Sequence, residues 1–171
     1  KVLLVVLGPA RYRLSHYLLT AAFGAGPIAE LKFEPLPADL VGDAEHTPFT
    51  GAFDRVVVDY PCTGTGTLRK HPELKWRWSE SELERLAAQA VRLLAGAAVA
   101  VAPGGLLAAI SCSLEPEENE AVGERFLALV AGFRRTSAAG RIPAVAAAAL
   151  SGEGLWRWLP AGDADRNDTQ N

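Results

Sequence analysis

The 171-residue chain contains no methionine and only two cysteines, Cys62 and Cys112. Two thiols are too few for a disulfide-stapled scaffold, and a reducing compartment would keep both as thiols. Positive charge is also scarce: 17 Lys and Arg stand against 20 Asp and Glu, a net charge of −3. That balance excludes a general electropositive field, so any grip on nucleic acid has to come from a local cluster. No unbroken apolar run reaches the ~18 residues that span a bilayer, because Pro103-Gly104-Gly105 ends the segment that follows Arg92, and the most apolar stretch, Val91 to Val101, reads as part of a buried helix. Lys1 to Leu7 lacks the length and the small-residue cleavage site of a signal peptide, which makes a cytoplasmic protein the expectation. A chain that starts at Lys1 without a single Met is expected to be a fragment or a processed product.

What is present is apolar mass, 49% of the residues, which suits one α/β domain over 1–171 with a disordered polar tail at 163–171. Val2 to Leu7 is a continuous apolar run ending at Gly8-Pro9, the pattern of a buried parallel strand and a turn. Helical spacing predicts a helix over Arg11 to Phe23, while Gly24 to Asp39, broken by Pro27, Pro35 and Pro37, has no readable period. Phe53 to Val58 predicts a strand that runs into Asp59. Ser79 followed by Glu82 is a capping-box pattern, and Leu83, Leu86, Ala87, Ala90, Leu94 and Ala97 continue it at three- and four-residue steps. Pro103-Gly104-Gly105 closes that segment, and Leu106 to Ile110 predicts a second buried strand entering Ser111-Cys112-Ser113. Pro116, Glu117 and Glu118 suit the first turn of a further helix, with Val122, Phe126 and Val130 on its buried face. The alternation of strand and helix predicts a mostly parallel sheet with helices on both faces.

In such sheets ligands gather outside the carboxyl ends of the strands. Asp59 and Cys62 follow one predicted strand and Cys112 the next, so neighbouring parallel strands would carry both thiols to one rim. A free cysteine is commonly no more than a small buried hydrophobe, and the local strings decide between the readings. Asp59-Tyr60-Pro61-Cys62-Thr63-Gly64-Thr65-Gly66-Thr67 with His71-Pro72-Glu73, and Ser111-Cys112-Ser113-Leu114-Glu115-Pro116-Glu117-Glu118-Asn119-Glu120, closely resemble the paired signatures of the Nol/Nop/Sun (Sun/Fmu) family of RNA cytosine-5 methyltransferases, bacterial rRNA type. The resemblance covers roughly Val41 to Val130, with a weaker echo at Trp156 to Asp163.

The resemblance implies a Rossmann-like S-adenosylmethionine-dependent methyltransferase fold and methylation of cytosine C5 in RNA, ribosomal RNA being the expected substrate. The Cys112 thiolate would add to C6 of the base, and Cys62 would assist release of the product. Asp59 would contact N3 and the exocyclic amine, and with Pro61 it would border the cofactor. Asp43 matches the family's acid beside the adenine, and Glu34 is the candidate for the ribose. Arg69, Lys70, Lys75 and Arg77, with Trp76 among them, form the one basic and aromatic cluster and are the candidate RNA contacts. The interleaved glycines and threonines of 63–67 allow close backbone approach to a ligand. His71 reads as a loop-orienting residue, and Trp156 and Trp158 as packing residues. A monomer with no metal and no membrane association is expected.

Two unrelated readings of the glycine-rich loop fail on spacing. Thr63 to Lys70 lacks the Gly-Lys-Ser/Thr ending of a phosphate-binding P-loop, and the gap from Cys62 to Arg69 is a residue longer than that of protein tyrosine phosphatases. The family's glycine-rich cofactor loop and its lysine have no counterpart after the first strand, where Gly8-Pro9-Ala10-Arg11 stands instead. A noncatalytic RNA-binding or assembly module that keeps the methyltransferase fold is therefore the alternative.

Overall fold

The computed structural model describes residues 2–6, 45–47 and 49–137. The chain divides into two compact units, Lys1–Leu18 with Leu31–Arg134 and Leu19–Glu30 with Arg135–Asn171, and every element below belongs to the first. The helix expected over Arg11 to Phe23, the two tryptophans at 156 and 158 and the tail at 163–171 lie outside the described residues.

Three parallel strands form the sheet, in the order β1 (Val2–Val6), β2 (Phe53–Asp59), β3 (Val101–Ile110). Their pairing brings Val6, Asp59 and Ile110 level with one another, so all three strands stop at a common carboxyl rim. Side chains alternate across a strand: Val56 and Val58 enter the core beside helix α1 (Glu80–Ala98), and Val57, facing the other way, is buried as well. Burial on both faces of the central strand is what its unbroken Val-Val-Val run requires.

α1 forms where the sequence says it should. Ser79 Oγ accepts a hydrogen bond from the Glu82 N–H at 3.2 Å, which satisfies one of the free amides of the first turn. The return half of the capping box is missing because the Glu82 carboxylate is taken by Arg85, at 2.7 and 2.8 Å. Leu83, Leu86, Ala87, Ala90, Leu93, Leu94 and Ala97 make its buried stripe, and the alanines let the helix lie close on Val56 and Val58. Helix α2 (Glu120–Leu129) adds Val122 and Phe126 to the same core. The end of α1 is stitched to the start of β2, with Gly51 N–H donating to Val99 O (2.8 Å) and Ala52 N–H to Ala100 O (3.0 Å).

Two expectations need correction. β3 begins at Val101 and passes through Pro103-Gly104-Gly105 as a bulge: two steps along β2, Phe53 to Arg55, face five along β3, Val101 to Leu106. It is not the buried strand expected over Leu106 to Ile110, since Leu106 and Leu107 are half-buried and Ala108 and Ala109 exposed. Among the described residues β3 pairs only with β2, and an apolar run looks the same at a border as in the middle. The second correction concerns the helix expected to open at Pro116. Pro116–Glu118 is instead a separate 3-10 turn, and α2 starts at Glu120 after a break at Asn119 (φ −122°, ψ −86°).

The bulge depends on its glycines. Gly104 has φ +76° with open space around it, whereas a Cβ on Gly105 would sit 2.8 Å from Ala102 O, 2.9 Å from Val101 Cγ1 and 3.0 Å from Asp54 O. Gly105→Ala should cost about 1–3 kcal/mol through overlap with backbone, and Gly104→Ala about 1–2 kcal/mol through its left-handed conformation alone. Urea unfolding of the two variants checks this, and a Gly105→Ala protein as stable as the parent would show that the bulge relaxes freely.

Candidate functional site

Beyond the rim the chain leaves β2 through Tyr60-Pro61-Cys62-Thr63-Gly64 and leaves β3 through Ser111-Cys112-Ser113. The strand pairing continues one step, with Tyr60 N–H donating to Ile110 O at 3.3 Å. The two loops then bond directly to each other. Gly66 N–H donates to Cys112 O (3.0 Å), and Leu114 N–H donates to Thr65 Oγ1 (2.9 Å). That approach requires glycine, because a Cβ at Gly66 would lie 2.7 Å from Cys112 O. The result is a pair of half-buried thiols with Sγ atoms 3.1 Å apart, either of which can donate to the other.

At this separation the two sulfurs titrate as one unit. The hydrogen bond from the Cys112 thiol is the largest influence on Cys62 and holds it below the ordinary thiol value, against the opposing effect of burial; Ser111 adds to the lowering. A thiolate on Cys62 is stabilised in this way by the proton of the Cys112 thiol. Tyr60, three residues past Val57, is pushed the other way by burial and by Cys62, so its hydroxyl stays protonated and donates to Glu118 O at 2.7 Å.

A second set of polar groups lies behind the thiols. Glu118 is 1% exposed, and its carboxylate accepts from Thr63 N–H (2.8 Å) and from Thr63 Oγ1 (2.5 Å). Ser113 Oγ is 3.1 Å from Thr65 Oγ1 and 3.4 Å from Thr63 Oγ1. The Asn119 amide donates to Ser113 O (3.1 Å) and Glu115 O (2.7 Å). Sequence reasoning pointed to the threonines of 63–67 as ligand-approaching residues but missed Ser113, Glu118 and Asn119 as site components: read from sequence, Glu118 is an acid in a helix's first turn. Its position within the Pro116 to Glu120 string was the one available signal.

Of the sequence-derived candidates, Cys62, Cys112 and Asp59 come together at the rim, Asp59 buried at 8% exposure as the last residue of β2 and Pro61 half-buried after it. Arg69, Lys70, Lys75 and Arg77 are all exposed, on and around the 3-10 turn Pro72–Trp76 that follows the Cys62 loop. Lys75 Nζ lies 4.9 Å from the centre of the Trp76 ring, which is itself 81% exposed. A cavity of about 240 Å³ separates this turn from the cysteine loops, bounded by Thr63, Thr65, Leu74, Lys75, Trp78 and Glu115. His71 Nδ1 is 3.2 Å from Glu73 Oε1 at the surface. Asp43 and Glu34 lie outside the described residues. Among the described residues no three His, Cys, Asp or Glu side chains converge as metal ligands, and no helix is long and apolar enough to cross a membrane.

A parallel sheet whose carboxyl rim carries an acid and two facing thiols has the Rossmann-like methyltransferase architecture. Comparison with known proteins agrees: residues 37–160, most of the chain, match the family described as 16S rRNA methyltransferase RsmB/F. The chain belongs to that family. It is 48% identical over 80 residues to ribosomal RNA small subunit methyltransferase B of Thermus thermophilus, covering 47% of this chain and 20% of that protein. It is 42% identical over 89 residues to the putative methyltransferase MT1451 of Mycobacterium tuberculosis, covering 52% of this chain and 19% of that one. The matched region thus spans about a fifth of the length of these relatives. The crystal structure of PH0851 superposes with a TM-score of 0.53 at 39% identity, over 56% of this chain and 22% of that one.

Because the Cys112 hydrogen bond is the main cause of the lowered Cys62 value, Cys112→Ala should raise it toward that of a free thiol. Iodoacetamide labelling followed by mass spectrometry across pH 5 to 10 reads this: the parent should label well below the ordinary thiol range, and Cys112→Ala only at higher pH. Identical profiles would mean that the sulfurs do not share a proton.

Proposed function

We propose that this chain carries the reacting groups of an S-adenosylmethionine-dependent RNA cytosine-5 methyltransferase acting on small-subunit ribosomal RNA. The observation that carries the reading is the pair of sulfurs 3.1 Å apart at the carboxyl rim of a parallel sheet, in a chain of the RsmB/F family. A lone nucleophilic thiol needs a base to take its proton, and here the second thiol stands at hydrogen-bonding distance.

Cys112 is the nucleophile. Cys112 passes its thiol proton to the Cys62 thiolate, and the resulting Cys112 thiolate attacks C6 of the cytosine, forming the S–C6 bond and moving electron density to C5. Asp59, at the end of β2, engages N3 and the exocyclic amine, which makes C6 more electrophilic. S-adenosylmethionine, when bound, supplies the methyl group that the activated C5 accepts. Loss of the C5 proton to a base and cleavage of the S–C6 bond then return Cys112 as a thiolate, and Cys62 assists that release. The rim suits a cofactor with a positive sulfonium, because its described groups are a buried carboxylate and a thiol pair inclined to negative charge. Asp59 and Pro61 border it there, with Asp43 and Glu34 assigned to its adenosine. Lys75, Arg69, Lys70 and Arg77 take RNA phosphates, and the exposed Trp76 ring offers a stacking surface.

The two cysteines are separated by trapping. In the protein as its gene encodes it, with cofactor and 16S rRNA, Cys112→Ala should abolish methylation and give no denaturant-resistant protein–RNA adduct, because attack on C6 cannot begin. Cys62→Ala should stop turnover yet accumulate the adduct, because addition precedes the failed step. Adduct in Cys112→Ala would reassign the nucleophile. RNA binding with neither methylation nor adduct in the unmutated protein would favour the noncatalytic module.

The basic cluster has its own signature. Lys75→Ala combined with Arg77→Ala should weaken RNA binding uniformly across sequences and reduce the slope of log affinity against log salt by about 0.7 for each single-strand phosphate that the variant no longer neutralises. An unchanged slope in a filter-binding titration would remove these residues from the RNA surface.

A further inference from the structure

We infer that Glu118 is a positioning residue that sets the separation of the two thiols by tying the Cys62 loop to the segment carrying Cys112. The inference rests on the two-thiol reading above and adds to it a residue to which that reading gives no part. Glu118 grips the Cys62 loop on both sides of the cysteine. Its main-chain oxygen accepts from the Tyr60 hydroxyl, two residues before Cys62, and its carboxylate accepts from the amide and hydroxyl of Thr63, the residue after it. The next residue, Asn119, grips the other loop through Ser113 O and Glu115 O. One dipeptide therefore holds both cysteine loops, and Thr63 and Ser113, the residues that follow the two cysteines, meet at 3.4 Å between their hydroxyls.

Two observations set the role apart from others a buried acid can have. With 1% exposure and both carboxylate oxygens engaged by Thr63, Glu118 cannot reach a substrate, so it is not itself a catalytic acid or base. Nor is fold stability a sufficient reason for it, because a buried polar side chain carries a desolvation cost that an apolar side chain of similar volume avoids. What an apolar residue cannot do is accept from the Thr63 amide and hydroxyl together, and these fix the peptide that follows Cys62.

The experiment reads thiol geometry with neither RNA nor cofactor, so its outcome is independent of whether the methyltransfer reading stands. Iodoacetamide labelling of both cysteines is followed against pH in the parent chain and in Glu118→Ala, Glu118→Gln, Thr63→Val and Val122→Ala, with circular dichroism to check folding. Glu118→Ala should separate the sulfurs and move the labelling midpoint up by about one pH unit, a roughly fivefold slower reaction at the pH of the parent's own midpoint. Glu118→Gln keeps an acceptor for the Thr63 amide and a group able to donate to its hydroxyl, and should stay close to the parent. Thr63→Val loses only the hydroxyl link and should shift in the same direction by less. Val122→Ala truncates a neighbouring core residue of 1% exposure that has no part in the network; it should lower the melting temperature and leave the midpoint alone. A folded Glu118→Ala with the parent's profile, or a Val122→Ala that shifts it equally, overturns the inference. Should Glu118→Ala not fold, Thr63→Val decides, and an unshifted midpoint there overturns it too.

Discussion

Everything at the rim depends on the pairing of Asp59 with Ile110. Parallel strands joined by a crossover have no tight turn to set their alignment, so the ladder between β2 and β3 must do it, with one further hydrogen bond from Tyr60 to Ile110 O. A slip of one residue would reverse the faces of all following side chains. Cys62 would then point away from Cys112, and neither Gly66 nor Thr63 could meet its partner across the gap. The core guards against that slip. Val56 and Val58 sit at 0% and 1% exposure against α1, and a shift would replace them with Arg55 and Val57.

The thiol pair combines this alignment with a second, local constraint. Two cysteine loops placed at the ends of adjacent strands would come near each other in any such sheet, yet nearness alone does not produce a shared proton. The close backbone approach at Gly66 and the carboxylate behind Thr63 bring the loops the rest of the way. The charge balance follows from that. A thiolate in a half-buried site needs donors, and the largest contribution at Cys62 comes from the other thiol, so its acidity is not independent of Cys112. The basic side chains Arg69, Lys70, Lys75 and Arg77 lie on and around the exposed turn Pro72–Trp76.

The fold was legible where sequence and solvent tell the same story. β2 could be read because its apolar run is short and ends in an acid, and α1 because its buried stripe recurs for five turns behind a Ser79 cap. β3 was misjudged because an apolar strand reports its own composition and not how much of it is covered. The start of α2 was misjudged for a different reason. Pro116, Glu117 and Glu118 are ideal for a solvated first turn, but the preference describes an isolated helix end, and here Glu118 is drawn inward by a residue 55 positions earlier. Cys62, Cys112 and Asp59 could be named from their local strings, whereas Glu118, Thr63 and Ser113 could not be assigned their contacts without the two loops in place. A buried carboxylate whose partners are a distant amide and hydroxyl leaves no periodic trace.

The bulge at Pro103-Gly104-Gly105 has a bearing on how this sheet can vary. It lies at the amino end of β3, between Phe53↔Val101 and Arg55↔Leu106, and takes up the mismatch in length between the two strands before regular pairing resumes. Residues gained or lost within it would alter only the size of a surface excursion, since the ladder restarts at Leu106. The same change two residues later would carry Cys112 to the opposite face. The strand thus has an elastic end and a rigid end, and the cysteine is attached to the rigid one.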